Sequence, residues 1–198
     1  MKVCVFSDLH SSFKSLKSVE KLGKKSDIIV CAGDISMFES RLRDILSRLN
    51  RIKKPVYIIP GNHEREGNLR KLCKNYRYIR YLHGRVFIID ELVLIGFNTS
   101  GFSFIDEDFE KFMKHQKKRL KKFKDKKIVL VSHSPPNKTK LDKIGKEHVG
   151  NKSVRRFINE YKPKFVICGH IHENAGKKDK IRKTVIINPG NKGKIIDI

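Results

Sequence analysis

Five short apolar runs in this chain each end in a small cluster of Asp, Asn or His, and no other feature constrains the fold as strongly. KVCVF leads into Asp8 and His10, DIIVCA into Gly33-Asp34, and PVYIIP into Gly61-Asn62-His63. KIVLVS leads into His133, and KFVIC into Gly169-His170-Ile171-His172. A short continuous apolar run reads as a strand buried on both faces. Helical spacing follows the first three runs: Phe13, Leu16 and Val19 up to Gly23, then Phe38, Leu42, Ile45, Leu46 and Leu49, then a short stretch from Leu69 to Tyr76. Strands alternating with helices imply an α/β architecture. In such folds the carboxyl ends of the strands lie along one edge, where ligands bind. The pattern therefore predicts that residues far apart in sequence meet at one rim.

The rest of the chain fits this plan. RVFIID and ELVLIGFN read as adjacent strands joined by a tight turn, and FNTSGFSF as a loop. Residues 106–124 read as a highly charged helix with a sparse stripe of Phe109, Phe112, Met113, Leu120 and Phe123. SPPNKTKLDKIGKEHVGN reads as a long loop, SVRRFINEY as a helix, and TVIIN with KIIDI as a closing hairpin. These late hairpins make the sheet system mixed. No repeat, low-complexity linker or domain boundary interrupts the chain, so residues 1–198 read as one domain, long enough for a sizeable core.

Composition narrows the class. At 38% hydrophobic and 33% charged residues, the chain suits an ordered soluble protein rather than a disordered one. No apolar run approaches the ~20 residues that cross a bilayer, and MKVCVFSDLH lacks the long apolar segment of a signal peptide. The expectation is a cytoplasmic protein without membrane contact. Cys4, Cys31, Cys73 and Cys168 form no C-x-x-C pair and read as buried free thiols. Lys and Arg number 45 against 21 Asp and Glu, a net charge of +24. Residues 111–198 hold 26 basic and 7 acidic side chains and carry most of the excess. Such a field attracts polyanions, nucleic acid among them, and steers phosphorylated ligands, though a solvated lysine-rich surface accounts for it equally well. Trp is absent and Gln116 is the sole glutamine, which fits a thermophile's charged surface. The sequence does not specify the oligomeric state, and an oligomer is compatible with it.

The strand-end residues suggest metal chemistry. Asp8, His10, Asp34, Asn62, His133, His170 and His172 form a mixed oxygen and imidazole set. Seven ligands exceed one tetrahedral zinc site, and structural sites are usually closed and rich in thiolate. The set suits two divalent ions sharing a bridging carboxylate.

These motifs, SDLH, AGDI, PGNHE, VSHSPP and CGHIH, resemble in order the signature of the calcineurin-like metallophosphoesterase superfamily. The resemblance extends from residue 4 to at least 190, and SHSPP, GHIHENAG and INPGN are most similar to its small phosphodiesterase-like members. It implies a four-layer sandwich of two mixed β-sheets packed face to face and flanked by helices. It assigns Asp8, His10 and His172 to one ion, Asn62, His133 and His170 to the other, and Asp34 to both. Mn²⁺ is the expected ion for assays, with Fe, Zn, Ni and Mg open. His63 is implied as the general acid that protonates the leaving-group oxygen, and Asn62 as a residue that also holds its loop and the phosphate. The implied reaction is attack on phosphorus by a metal-bridged hydroxide. The implied substrates are small phosphate esters of nucleotide or cyclic-nucleotide type.

Departures from the superfamily narrow the branch. GDISMFES lacks the D-R-G stretch of Ser/Thr protein phosphatases, which argues against a phosphoprotein substrate and leaves the partner that orients His63 unidentified. Glu64 is adjacent, but adjacency does not establish that role. Some small relatives carry Cys in the His63 slot, whereas this chain keeps His. A chain of 198 residues has no room for the capping domain of the repair nucleases. Two alternatives stand beside the phosphodiesterase: a metal-dependent nuclease on RNA or single strands, and a non-catalytic metal-binding scaffold. His83, His115 and His148 read as surface residues. Two lysine-rich loops, at Lys138–Lys146 and Lys177–Lys183, are expected to flank the metals.

Overall fold

A computed structural model describes residues 1–99, 101–123 and 125–198. In chain order the elements are β1 (Lys2–Phe6), α1 (Phe13–Gly23), β2 (Ile28–Cys31), α2 (Leu42–Asn50), β3 (Val56–Ile58), α3 (Glu66–Cys73) and β4 (Ile79–Tyr81). Then follow β5 (Arg85–Ile89), β6 (Leu92–Phe97), α4 (Glu107–Lys121), β7 (Lys127–Ser132), β8 (Lys143–Ile144) and β9 (Glu147–His148). The chain closes with α5 (Lys152–Tyr161), β10 (Phe165–Ile167), a 3₁₀ turn at His172–Asn174, β11 (Lys178–Ile181), β12 (Thr184–Ile187) and β13 (Lys194–Asp197). The loop read at residues 97–104 includes Ser100, and the charged helix read to residue 124 includes Lys124. Both residues lie outside those described.

Two large sheets form, ordered β13-β1-β2-β3-β4 and β11-β12-β10-β7-β6-β5, with β8 and β9 as a separate small ribbon. β1 to β4 run parallel, as do β12, β10, β7 and β6. The antiparallel edge strands β13, β11 and β5 make both sheets mixed.

Alternation along the strands explains the layering, because successive side chains point to opposite faces. In β1, Val3 and Val5 enter the cluster between the sheets, while Cys4 and Phe6 join Leu16, Ile45 and Leu69 from α1, α2 and α3. In β6, Leu92 and Leu94 face the other sheet, while Val93 and Ile95 pack against Phe109 of α4 and Phe157 of α5. The result is helix, sheet, sheet, helix, the architecture expected. Helix starts follow their capping residues: Ser12, Asp106 and Asn151 each accept a backbone N–H three residues on. Among the described residues no helix is long and apolar enough to cross a membrane.

Three expectations need correction. TVIIN and KIIDI do not pair: β12 lies in the second sheet, and β13 pairs with β1 in the first. The PGNKG segment that resembles a turn carries the chain from one sheet to the other, with Gly190 accepting the Ser7 N–H at 3.2 Å. The true hairpin partner of β12 is Lys178–Ile181, read as part of a basic loop because an edge strand rich in charge carries little apolar signal. Its turn, at Arg182 and Lys183, lies at the amino ends of the parallel strands, away from the strand tips that carry the histidines. β4 escaped notice because only Ile79 and Tyr81 of its three residues are buried.

Leu94, fully buried between the sheets, tests the central packing. Leu94→Ala is expected to cost about 3 kcal/mol and to lower Tm by about 6–12 °C in a thermal melt. Exposed Ile88→Ala is the control, expected to shift stability by less than about 0.5 kcal/mol. Equal melts for the two variants would contradict a packed inter-sheet core.

Candidate metal centre

The five strand-end loops meet where the carboxyl ends of both sheets face one another. Asp8 N–H donates to Gly33 O at 3.1 Å, His10 N–H to Asp34 O at 3.0 Å, and Gly169 N–H to His133 O at 2.9 Å. The sheets are joined across the rim by the His170 N–H, which donates to Asp8 Oδ1 at 3.0 Å. Within the first sheet the His63 N–H donates to Asp34 Oδ1 at 3.0 Å. Asp8, His10, Asp34 and His170 have φ of 53°, 44°, 51° and 71°. Non-glycine residues rarely occupy this left-handed region, at a cost of about 1–3 kcal/mol each. The cross-loop hydrogen bonds hold them there.

Close approach requires glycine at two points. A Cβ on Gly61 would overlap the Asp34 carboxylate, and one on Gly169 would lie 2.6 Å from Asp8 Oδ2. Glu64 organises the same loops from beneath. Its buried carboxylate accepts the Asp34 and Gly61 N–H groups at 3.0 Å, the Ser36 N–H at 2.9 Å and the Ser36 hydroxyl at 2.6 Å. Glu64 therefore fixes the backbone of the two loops that carry Asp34 and His63. Its carboxylate signal is legible in PGNHE, but its reach to Asp34 and Ser36 is not.

The side chains converge. Asp8, His10 and His172 offer ligand atoms within 4.8 Å of one another, as do Asp8, Asp34 and His133, and His10, Asp34 and His63. His10 Nε2 and His172 Nε2 are 2.9 Å apart. His133 Nε2 lies 3.2 Å from Asp34 Oδ2, and His10 Nε2 3.9 Å from the same oxygen. Asn62 Nδ2 is 3.1 Å from His170 Nδ1, and the His170 ring centroid is 5.2 Å from that of His133. His133 Nδ1 is 2.7 Å from Ala32 O, an atom that can only accept, so Nδ1 carries a proton and Nε2 turns toward Asp34.

The chemistry of these atoms fits bound cations. Among the described residues, the buried side-chain N and O atoms without a hydrogen-bond partner are Asp8 Oδ2, His10 Nδ1, His63 Nδ1, Asn98 Oδ1, His133 Nε2 and His170 Nε2. Native proteins rarely leave such atoms unpaired, and here they gather on the strand-end residues. Burial alone would raise the Asp34 carboxyl, yet His133 and the His63 N–H hold it well below the usual carboxylate range. Burial opposes charge on His133, but its contact with Asp34 lifts it to about 9. Burial lowers His10 and takes His170 down to about 4.

All seven residues expected as ligands, and His63, lie in this cluster, and the weaker candidates are placed as follows. His83 is not a surface residue: its Nδ1 accepts the Asn98 N–H at 2.7 Å, and Nε2 lies 3.3 Å from Glu66. His148 is half-buried, 2.7 Å from Asp142, the carboxylate that also takes the Lys138, Thr139 and Gly150 N–H groups. His115 is exposed, as expected. The long loop carrying Lys138 and Lys140 packs on the His172 turn through Asn174 Nδ2, which donates to Leu141 O and Lys143 O at 2.9 Å. Phe38, expected within α2, instead precedes it and packs on His63.

Residues 1–174 match the calcineurin-like phosphoesterase family. The chain belongs to that family. It is 29% identical to an uncharacterised protein of Methanocaldococcus jannaschii, over 97% of this chain and 89% of that one. It is 25% identical to a probable cyclic nucleotide phosphodiesterase of Coxiella burnetii, over 88% of this chain and 77% of the relative. The fold resembles that of TT1561 from Thermus thermophilus, with a TM-score of 0.78 at 14% identity, over 96% of this chain and 90% of that one. Membership makes the protein a metal-dependent phosphoester hydrolase, and the cluster supplies residues that could hold the metal.

Two outcomes follow from this geometry. Gly61→Ala is expected to reduce bound metal severalfold by elemental analysis, whereas Gly67→Ala, in α3 with no neighbour within 4 Å of the added Cβ, retains it. Equal metal content would contradict the close approach of Gly61 to Asp34. At pH 7 metal-free His133, raised to about 9, holds a proton on Nε2 that a cation must displace. Mn²⁺ binding at pH 7 is expected to release about one proton from this group and to strengthen as pH rises toward 9. Calorimetry in buffers of different ionisation enthalpy reads the release, and an absence of buffer dependence would contradict it.

Proposed function

We propose that this protein is a dinuclear-metal-dependent phosphodiesterase that hydrolyses small phosphate esters of the nucleotide or cyclic-nucleotide type. One observation carries the reading: in three overlapping groups drawn from Asp8, His10, Asp34, His63, His133 and His172, the ligand atoms lie within 4.8 Å of one another at the strand tips of a family fold. The name of the Coxiella relative supports a phosphodiester of nucleotide type. In this reading Asp8, His10 and His172 hold one ion, Asn62, His133 and His170 hold the second, and Asp34 serves both. When bound, two divalent ions neutralise charge on the phosphate and lower the pKa of water.

The chain's own residues do the rest. Water gives up one proton to solvent and its oxygen forms the new P–O bond as the bond to the leaving group breaks, while protonated His63 delivers a proton to the departing oxygen and is re-protonated from solvent. Its backbone is pinned to Asp34 Oδ1 at 3.0 Å, and its ring stands 4.8 Å from that of His10. Glu64 does not touch the imidazole in any of its hydrogen bonds. It positions His63 through the loop backbone. The Asn62 amide can donate to a phosphate oxygen. Mn²⁺ is the assay ion of choice, and four buried unpaired cysteines suit the cytoplasm.

A second reading, a nuclease on RNA or single strands, is favoured by the net charge of +24. A steep fall in oligonucleotide affinity with salt would support it. For the leading reading, protein reconstituted with Mn²⁺ is expected to turn over bis-p-nitrophenyl phosphate, and protein stripped with EDTA is not. His63→Ala is expected to lower kcat by about 10²–10⁴ while metal content stays, whereas Asp34→Asn is expected to lose metal. Full activity of the stripped protein, or of His63→Ala, would contradict the assignment.

A further inference from the structure

Two runs of ring contacts in the metal centre, His172–His10–His63 and His133–His170, each end in an exposed phenylalanine. Phe38 is 77% exposed and Phe102 58% exposed, although Phe is among the most often buried residue types. The Phe38 ring lies 4.3 Å from the His63 ring between centroids, at 61°, and the Phe102 ring 4.5 Å from His170, at 58°. Neither ring belongs to the three buried clusters, so core packing does not explain them.

Both rings are held in place. Phe38 has φ of 47°, an outlier for a bulky residue. The turn that carries it is tied down by Met37 N–H to Ser11 Oγ at 3.0 Å and Ser40 N–H to Met37 O at 2.9 Å. Phe102 follows Gly101, whose carbonyl accepts the Ser134 hydroxyl at 2.6 Å and whose Cβ position lies 3.6 Å from Asn62 Nδ2. At Phe38 a strained backbone presents an apolar ring to water beside reactive groups, which points to a ligand, and at Phe102 the exposed ring against His170 points the same way.

We propose that Phe38 and Phe102 are specificity residues that stack on flat organic groups at the two ends of the diester, Phe38 on the leaving group and Phe102 on the retained group. The proposal rests on the phosphodiesterase reading above. His63 there protonates the leaving oxygen, so the ring against His63 faces the leaving group. The ring against His170, with its own set of neighbours in His133 and Asn62, faces the retained group. Aromatic side chains stack on any planar base or aryl group with little regard for its hydrogen-bonding edge. The substrates selected in this way carry a nucleobase or aryl ring, in preference to glyceryl or other alkyl esters.

The test pairs esters that differ in one group. Thymidine 5′-p-nitrophenyl phosphate and methyl p-nitrophenyl phosphate share a leaving group. Phe102→Ala is expected to lower the ratio of their kcat/KM values about tenfold, the factor a single stacked base supplies. Thymidine 5′-phenyl phosphate and thymidine 5′-trifluoroethyl phosphate share a retained group, and Phe38→Ala is expected to lower their ratio by a similar factor. Phe→Tyr at either position keeps the ring and is expected to restore the ratio. Calorimetric binding of thymidine 5′-phosphate to the Mn²⁺-loaded protein gives a readout independent of turnover, with affinity about tenfold weaker in Phe102→Ala. If both esters of a pair slow equally, the rings merely support His63 and His170, and the proposal is overturned. Binding that depends on Phe102 without turnover of any ester would overturn the phosphodiesterase reading and support the stacking role.

Discussion

The structure depends on two carboxylates that have almost no room. Asp34 sits against Gly61, Asp8 against Gly169, and any side chain on either glycine would push the strand-end loops apart. Each carboxylate gives one oxygen to a backbone N–H of a different loop. Asp34 turns its other oxygen toward His133, and the second oxygen of Asp8 is buried without a partner. Asp8 thereby ties the two sheets together, and Asp34 ties two loops of one sheet. The fold brings the strands near one another, but these contacts convert nearness into a cluster with defined spacing.

Such a cluster is costly without cations. Asp8, His10, Asp34 and His170 all occupy left-handed backbone conformations, and buried imidazole nitrogens lack partners. The apolar layers beneath offset that cost. Three contiguous cores, with side chains alternating from face to face along β1, β2, β6 and β7, hold the rim rigid. Glu64 adds a polar support, with its carboxylate shared among the loops of Asp34, Ser36 and Gly61. Burial raises the Glu64 carboxyl, opposed by the Ser36 and Gly61 donors, and nearby Asp34 raises it further.

Much of this was legible in the sequence, and the reason is physical. Buried parallel strands must be apolar throughout, so β1, β2, β3, β7 and β10 stand out, and the polar residues that end them stand out for the same reason. The charged edge strand β11 and the short β4 left no such signal. The partner of β13 was misread because a Pro-Gly-Asn segment can turn a hairpin or cross between sheets, and local chemistry does not distinguish the two. His83 looked exposed because its partners, Glu66 and the Asn98 backbone, are local neither in sequence nor in element. Phe38 and Phe102 were invisible as site residues, since Phe38 fits the apolar spacing that runs on to Leu49 and the exposure of a loop Phe such as Phe102 is not written in the sequence.

The most direct measurement of the central claim is the anomalous difference density of a crystal grown from Mn²⁺-loaded protein. The account expects two peaks per chain, one among Asp8, His10 and His172, the other among Asn62, His133 and His170, with the Asp34 carboxylate between them. A single peak, or ions bound away from the strand tips, would contradict it.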